Sequence, residues 1–145
     1  MKGKFVTFEG CEGSGKSTQI RLLSERLKKA GIPHMVTREP GGSDIAEQIR
    51  GIILSGRNTA MCDECEALLY AAARAQHLRE KVQPALEAGM LVLCDRYVDS
   101  SLAYQGYARG LGTDFVAAIK VFAMRDLRPD LTLFLDCLLY TSDAA

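Results

Sequence analysis

Nine residues, GCEGSGKST from Gly10 to Thr18, constrain this chain more than any other stretch. They satisfy G-x-x-x-x-G-K-[ST], a loop whose glycines let successive backbone N–H groups turn inward around phosphate oxygens. The run before it, KFVTFE, is β-rich. After it, Ile20, Leu23 and Leu27 fall on one helical face, and Gly31 and Pro33 stop the helix. A strand, a glycine loop and a helix in that order are the setting the motif needs. The helix adds its positive N-terminal end. Gly10, Cys11, Glu12, Gly13, Ser14, Gly15, Lys16, Ser17 and Thr18 are therefore the candidate nucleotide-phosphate-binding residues, with Lys16 reaching the β- and γ-phosphates and Ser17 offering a hydroxyl to Mg2+.

Further along, HMVT is a candidate second strand running into the turn-rich REPGG, and Ser43 is a fair N-cap for a helix to about Leu54. A long helical stretch is expected over roughly Asp63 to Ala88, kinked or divided by Pro84. MLVLCD and LTLFLD read as strands covered on both faces, with the helix DFVAAIKVFAM between them. Strands alternating with helices predict an α/β fold with a parallel sheet and helices on both faces. Ligands bind such sheets beyond the carboxyl ends of the strands. Gly10–Ser17, Arg38–Gly42, Asp95–Arg96 and Asp136 should then share one rim, and Asp95 joins Ser17 as a candidate Mg2+ ligand.

Bulk properties exclude several classes. The 145 residues fit one domain or a large part of one, and a formal net charge of zero argues against a nonspecific nucleic-acid binder. No apolar run approaches the roughly 20 residues that cross a bilayer, and no targeting segment is visible, so the expectation is no membrane association and a cytoplasmic setting. Five cysteines, an odd count, are expected as free thiols; Cys62 and Cys65 form a lone C-x-x-C expected to be ordinary helix-start residues. Cys11 lies just before a helix N-terminus, where a thiol tends to become more acidic. Arginines at 38, 50, 74 and 96 suggest a second anion at the rim; Arg50 and Arg74 taken alone also read as solvated helix charges.

FEGCEGSGKST, TREPGG, LLYAAARAQH, CDRYVDSSLAYQG and RPDLTLFLD, in this order and spacing, resemble bacterial thymidylate kinase, a P-loop NTPase fold. The resemblance covers Lys4 to Asp136 and implies transfer of the γ-phosphoryl group of ATP to dTMP with Mg2+, giving dTDP for DNA synthesis. It implies that Arg38 and Arg96 hold the dTMP phosphate with Arg50 assisting, and that Tyr70, in a place where phenylalanine is usual, stacks on thymine. It implies further that Arg74 bonds a thymine carbonyl, that Ser101 and Gln105 meet the rest of the base and sugar, and that Glu12 accepts from the 3′-hydroxyl. Lys16, Arg96 and Glu12 are the expected catalytic set, and a homodimer is expected from the family.

The resemblance implies a core over residues 1–136. The last nine residues, 137–145, match nothing expected there, and the family's arginine-bearing lid, last strand and last helix are not found in this sequence. A catalytic arginine can be worth about 10³–10⁵ in rate, so this chain alone is expected to be nearly inactive and poorly soluble. Two rival readings remain: a P-loop kinase for another nucleotide or nucleoside, and a nucleotide-binding fragment without catalysis.

Overall fold

The structure is a computed structural model that describes residues 2–97, 113–125 and 127–136. Its centre is a four-stranded sheet of β1 (Lys4–Glu9), β2 (His34–Arg38), β3 (Leu91–Asp95) and β4 (Leu131–Phe134), in the order β2-β3-β1-β4. All three pairings are parallel. The register aligns the carboxyl ends: Phe8 and Arg38 both stand opposite Asp95, and Glu9 opposite Phe134.

Alternation along β1 and β3 divides the core between the two sheet faces. Phe5, Val92 and Cys94 face one side, where they pack with Leu78, Val82, Ala85, Leu86 and Tyr97. Phe8 and Leu93 face the other, against Ile20 and Leu27 of helix α1 (Lys16–Lys29). Helices thus cover both faces, as the alternating pattern predicts. Helix α2 (Asp44–Ile53) packs on α3 (Asp63–His77), and α3 in turn on α5 (Thr113–Met124). Among the described residues no helix is long and apolar enough to cross a membrane.

The expected long helix is divided. α3 runs into a five-residue π-helical stretch, Leu78–Val82, and then into α4 (Gln83–Glu87), with Pro84 in its first turn. Pro84 has no N–H to give the turn before it, and the wider turn is a usual accommodation of a broken α-ladder. Ser43 occupies the N-cap position of α2 without a side-chain cap bond; Glu47 instead accepts the Gly42 N–H at 2.9 Å.

One expectation fails. LTLFLD reads as a strand covered on both faces, yet β4 is exposed along its whole length, with Leu131 51%, Leu133 37% and Phe134 71% accessible. β4 pairs only with β1 and stands at the sheet edge among the described residues. A continuous apolar run is therefore not sufficient evidence of two-sided cover.

Candidate functional site

The phosphate loop joins β1 to α1 at the carboxyl rim. Lys16, only 6% exposed, donates its ammonium to the carbonyls of Gly10 at 2.9 Å and Cys11 at 2.6 Å and to Ser14 Oγ at 3.3 Å. The cation thus lies across the loop that it would share with phosphate oxygens. Cys11 is half-buried; Cys62 and Cys65 are exposed and free, Cys62 being the N-cap residue of α3.

Ser17 begins α1 and Asp95 ends β3, and their side chains meet: Ser17 Oγ donates to Asp95 Oδ2 at 3.2 Å. Asp95 Oδ1 is buried with no hydrogen-bond partner among the described residues. A hydroxyl beside a carboxylate oxygen still able to accept is a donor set that fits Mg2+, a hard cation that takes few protein ligands when phosphates supply the rest. No group of three His, Cys, Asp or Glu residues able to hold a metal occurs among the described residues.

Next to Asp95, Arg96 adopts φ 67°, the left-handed region, and its N–H donates to the Phe8 carbonyl at 2.8 Å. A non-glycine residue held there is strained, and such strain clusters at ligand sites. The bend brings the guanidinium to 4.0 Å from the carboxylate of Glu12, which is 92% exposed at the tip of the phosphate loop. Tyr97 follows, its N–H donating to the buried carboxylate of Glu9 at 2.8 Å.

The loop after β2 brings the other cations. Arg38 Nη2 donates to both oxygens of Glu47, at 3.0 and 3.1 Å, and Arg50 Nη1 donates to the Pro40 carbonyl at 2.9 Å. The Gly42 N–H above all, joined by the Arg38 guanidinium, holds the Glu47 carboxyl below its ordinary value and outweighs the opposing effect of burial. Ser17, Thr37, Arg38, Glu47 and Asp95 line part of a cleft of about 620 Å3.

A sequence model described as thymidylate kinase matches residues 8–141. The chain belongs to the thymidylate kinase family. The thymidylate kinase of Bacillus velezensis is 61% identical over 134 residues, covering 92% of this chain and 63% of that protein. That of Clostridium novyi is 56% identical, covering 93% of this chain and 66% of its own. The chain therefore spans less than two thirds of the length of these relatives. A crystal structure of thymidylate kinase from Ehrlichia chaffeensis superposes with a TM-score of 0.84 at 34% identity, covering 94% of this chain and 72% of that one.

Of the residues singled out from the thymidylate kinase resemblance, the fold brings the 10–18 loop, Arg38, Asp95 and Arg96 to one rim, and Arg50 to the same 38–42 loop by its bond to Pro40. Tyr70 is half-buried one helical turn before Arg74 on α3. Arg74 is not a solvated helix charge. It is 4% exposed, its Nε donates to Glu39 Oε2 at 2.5 Å, its Nη2 to the Tyr97 carbonyl at 2.8 Å, and its guanidinium carbon lies 5.2 Å from the Tyr97 ring centre. Ser101, Gln105 and the 137–145 segment lie outside the described residues.

Sequence reasoning missed Glu9, Glu39, Glu47 and His77. Glu39 passes as part of a turn, yet it is 3% exposed and bound to both Arg74 and His77. Burial pushes its carboxyl up, but the charge of Arg74 and the hydrogen bond and charge of His77 prevail, leaving it below its ordinary value. The available signal is the i, i+3 spacing of Arg74 and His77, which sets both on one helical face and calls for an acid opposite.

Proposed function

We propose that the chain forms the nucleotide-binding core of a kinase that transfers the γ-phosphoryl group of ATP to dTMP, giving dTDP. The observation that carries this reading is the shared rim: a lysine-bearing phosphate loop and the Ser17–Asp95 pair on one side, Arg38 and Arg96 beside them. Family membership supplies the acceptor.

In this reading the backbone of Gly10–Thr18 and the N-terminal end of α1 hold the donor phosphates, and Lys16 moves onto their oxygens. Arg96 and Arg38, assisted by Arg50, bind the acceptor phosphate and bring its oxygen into line with the donor. Arg38 must then share or release Glu47. Glu12, facing Arg96 rather than the loop interior, accepts from the acceptor 3′-hydroxyl. Tyr70 stacks on thymine, Arg74 bonds its carbonyl, and Ser101 and Gln105 complete the base and sugar contacts. Ser17 and Asp95 would hold Mg2+, which when bound would screen the phosphate charge. The loop interior, Cys11 to Ser14, holds no arginine, so the cationic support from these residues is Lys16 and Arg96. A cytoplasmic setting and a homodimer belong to the same reading.

The test is acceptor choice. Purified protein with ATP and Mg2+ is offered dTMP, dUMP, dGMP and thymidine in turn, and diphosphate or monophosphate product is quantified. dTDP as the preferred product supports the reading; preference for another acceptor replaces it with a kinase of that compound, and nucleotide binding with no product from any acceptor, by a full-length relative with the same rim residues as well as by this chain, replaces it with a binding module.

A further inference from the structure

Behind the rim lies a chain of four side chains that phosphate binding does not use. Thr37 Oγ1 is 2.7 Å from His77 Nε2, His77 Nδ1 is 3.1 Å from Glu39 Oε1, and Glu39 Oε2 accepts from Arg74 Nε at 2.5 Å. All but Thr37 are almost sealed from solvent: the side chains of His77, Glu39 and Arg74 are 0%, 3% and 4% exposed. The hydrogens can be assigned along the chain. An ionised carboxylate only accepts, so His77 must carry its hydrogen on Nδ1. When the ring is neutral, its Nε2 then accepts from the Thr37 hydroxyl.

We propose that Glu39, clamped by His77 and Thr37, is a positioning residue that fixes the plane of the Arg74 guanidinium for the base of the acceptor nucleotide. The inference rests on the reading of Arg74 as an acceptor-base contact. Three observations support it. Arginine presents its donors in one rigid fork, so holding Nε on Glu39 and Nη2 on the Tyr97 carbonyl fixes where the whole fork points. The clamp leaves no slack: a Cβ on Gly42 would stand 2.6 Å from the His77 ring and 2.6 Å from Thr37 Oγ1. Glu39 also directly follows Arg38, so one turn after β2 sends one side chain to the outer rim and the next to the buried arginine. The phosphate grip and the base grip thereby share two consecutive backbone positions.

The experiment measures binding of dTMP and of Mg·ADP by titration calorimetry, with thermal melts to confirm folding. Glu39→Gln is expected to weaken dTMP about tenfold or more, the scale of a lost charge-assisted hydrogen bond, while Mg·ADP affinity stays within about twofold. Thr37→Val should weaken dTMP about threefold, and Thr37→Ser should recover most of that loss. Equal weakening of both nucleotides, or unchanged dTMP affinity in a folded Glu39→Gln, overturns the proposal. If Glu39→Gln does not fold, the Thr37 pair decides in the same way.

A ligand-independent readout separates this from the acceptor assignment. The chain has two histidines, so 15N spectra with His34→Gln as the assignment variant identify His77. Hydrogen on Nδ1 supports the clamp, and hydrogen on Nε2 alone overturns it, whichever nucleotide is accepted. If another monophosphate binds in place of dTMP, the acceptor reading fails and the same affinity comparison is scored on that nucleotide.

Discussion

Glu12 occupies a loop that otherwise gathers donors for anions, and its carboxylate lies 4.0 Å from Arg96. At 92% exposure that pair contributes little to stability; its information is directional, because the carboxylate sits on the side of the arginine and not within the ring of loop N–H groups. Glu12→Ala should therefore weaken binding of dTMP by about tenfold or more and leave ATP binding within about twofold, as for a lost hydrogen bond to a charged group on the acceptor side alone. Calorimetric titration of dTMP and of ATP in turn checks this, and equal losses for both would refute it. Glu39 gives a prediction in pH. Its folded carboxyl titrates below its ordinary value, so between those two points the unfolded chain binds the extra proton. Its contribution is fully present above the unfolded value and is lost as pH falls through the folded one. Melts between pH 7 and pH 3.5 should fall steeply only at the acid end. Glu39→Gln should be less stable at pH 7, by about 3–5 kcal/mol if Arg74 is left buried and unpaired, with a flatter acid limb. An unchanged acid limb in that variant would remove Glu39 from the account.

At the scale of elements, the clamp constrains the turn between β2 and α2. Gly42 has φ 85° and meets buried atoms of His77 and Thr37, whereas Gly31, with φ 68°, would put a Cβ into open space. Gly31→Ala should cost about 1 kcal/mol, the left-handed penalty alone. Gly42→Ala should cost about 2–4 kcal/mol, because the crowded contact adds an overpacking cost. Denaturant melts of the two variants give the comparison directly, and equal costs would mean that the His77 ring gives way freely. These elements differ in how far the sequence reveals them. β1, α1 and β2 are visible because each satisfies a local rule: β-rich run, glycine loop, helical period, glycine stop. The rim follows from parallel alternation, which places strand ends together without any knowledge of side chains. The clamp is not visible, since Glu39 and Arg74 are 35 positions apart and nothing local distinguishes a buried acid from a turn acid. Pro84 marks a break, but whether a helix kinks or widens is settled by packing. The strain at Arg96 is equally hidden, because nothing local in a loop after a strand marks a non-glycine residue for the left-handed region.

For the whole molecule, the sheet is well covered over β1 and β3 and bare at β4. Val92, Leu93 and Cys94 are fully buried, while Phe134 is 71% exposed and Leu131 51%, on a strand with one pairing partner among the described residues. Unpaired backbone groups beside exposed apolar side chains form a template for another chain. Association beyond the proposed homodimer should therefore run through β4 rather than through the core. Phe134→Lys places a charge on that edge at a position that contributes little burial, so it should raise the concentration at which association beyond the proposed dimer sets in while changing stability by no more than about 0.5 kcal/mol. Light scattering across a concentration series, paired with melts of both proteins, checks the two halves separately. Later onset of association with an unchanged melt locates the sticky surface at β4. An unchanged onset assigns it elsewhere, and a large fall in stability would mean that Phe134 is covered in solution.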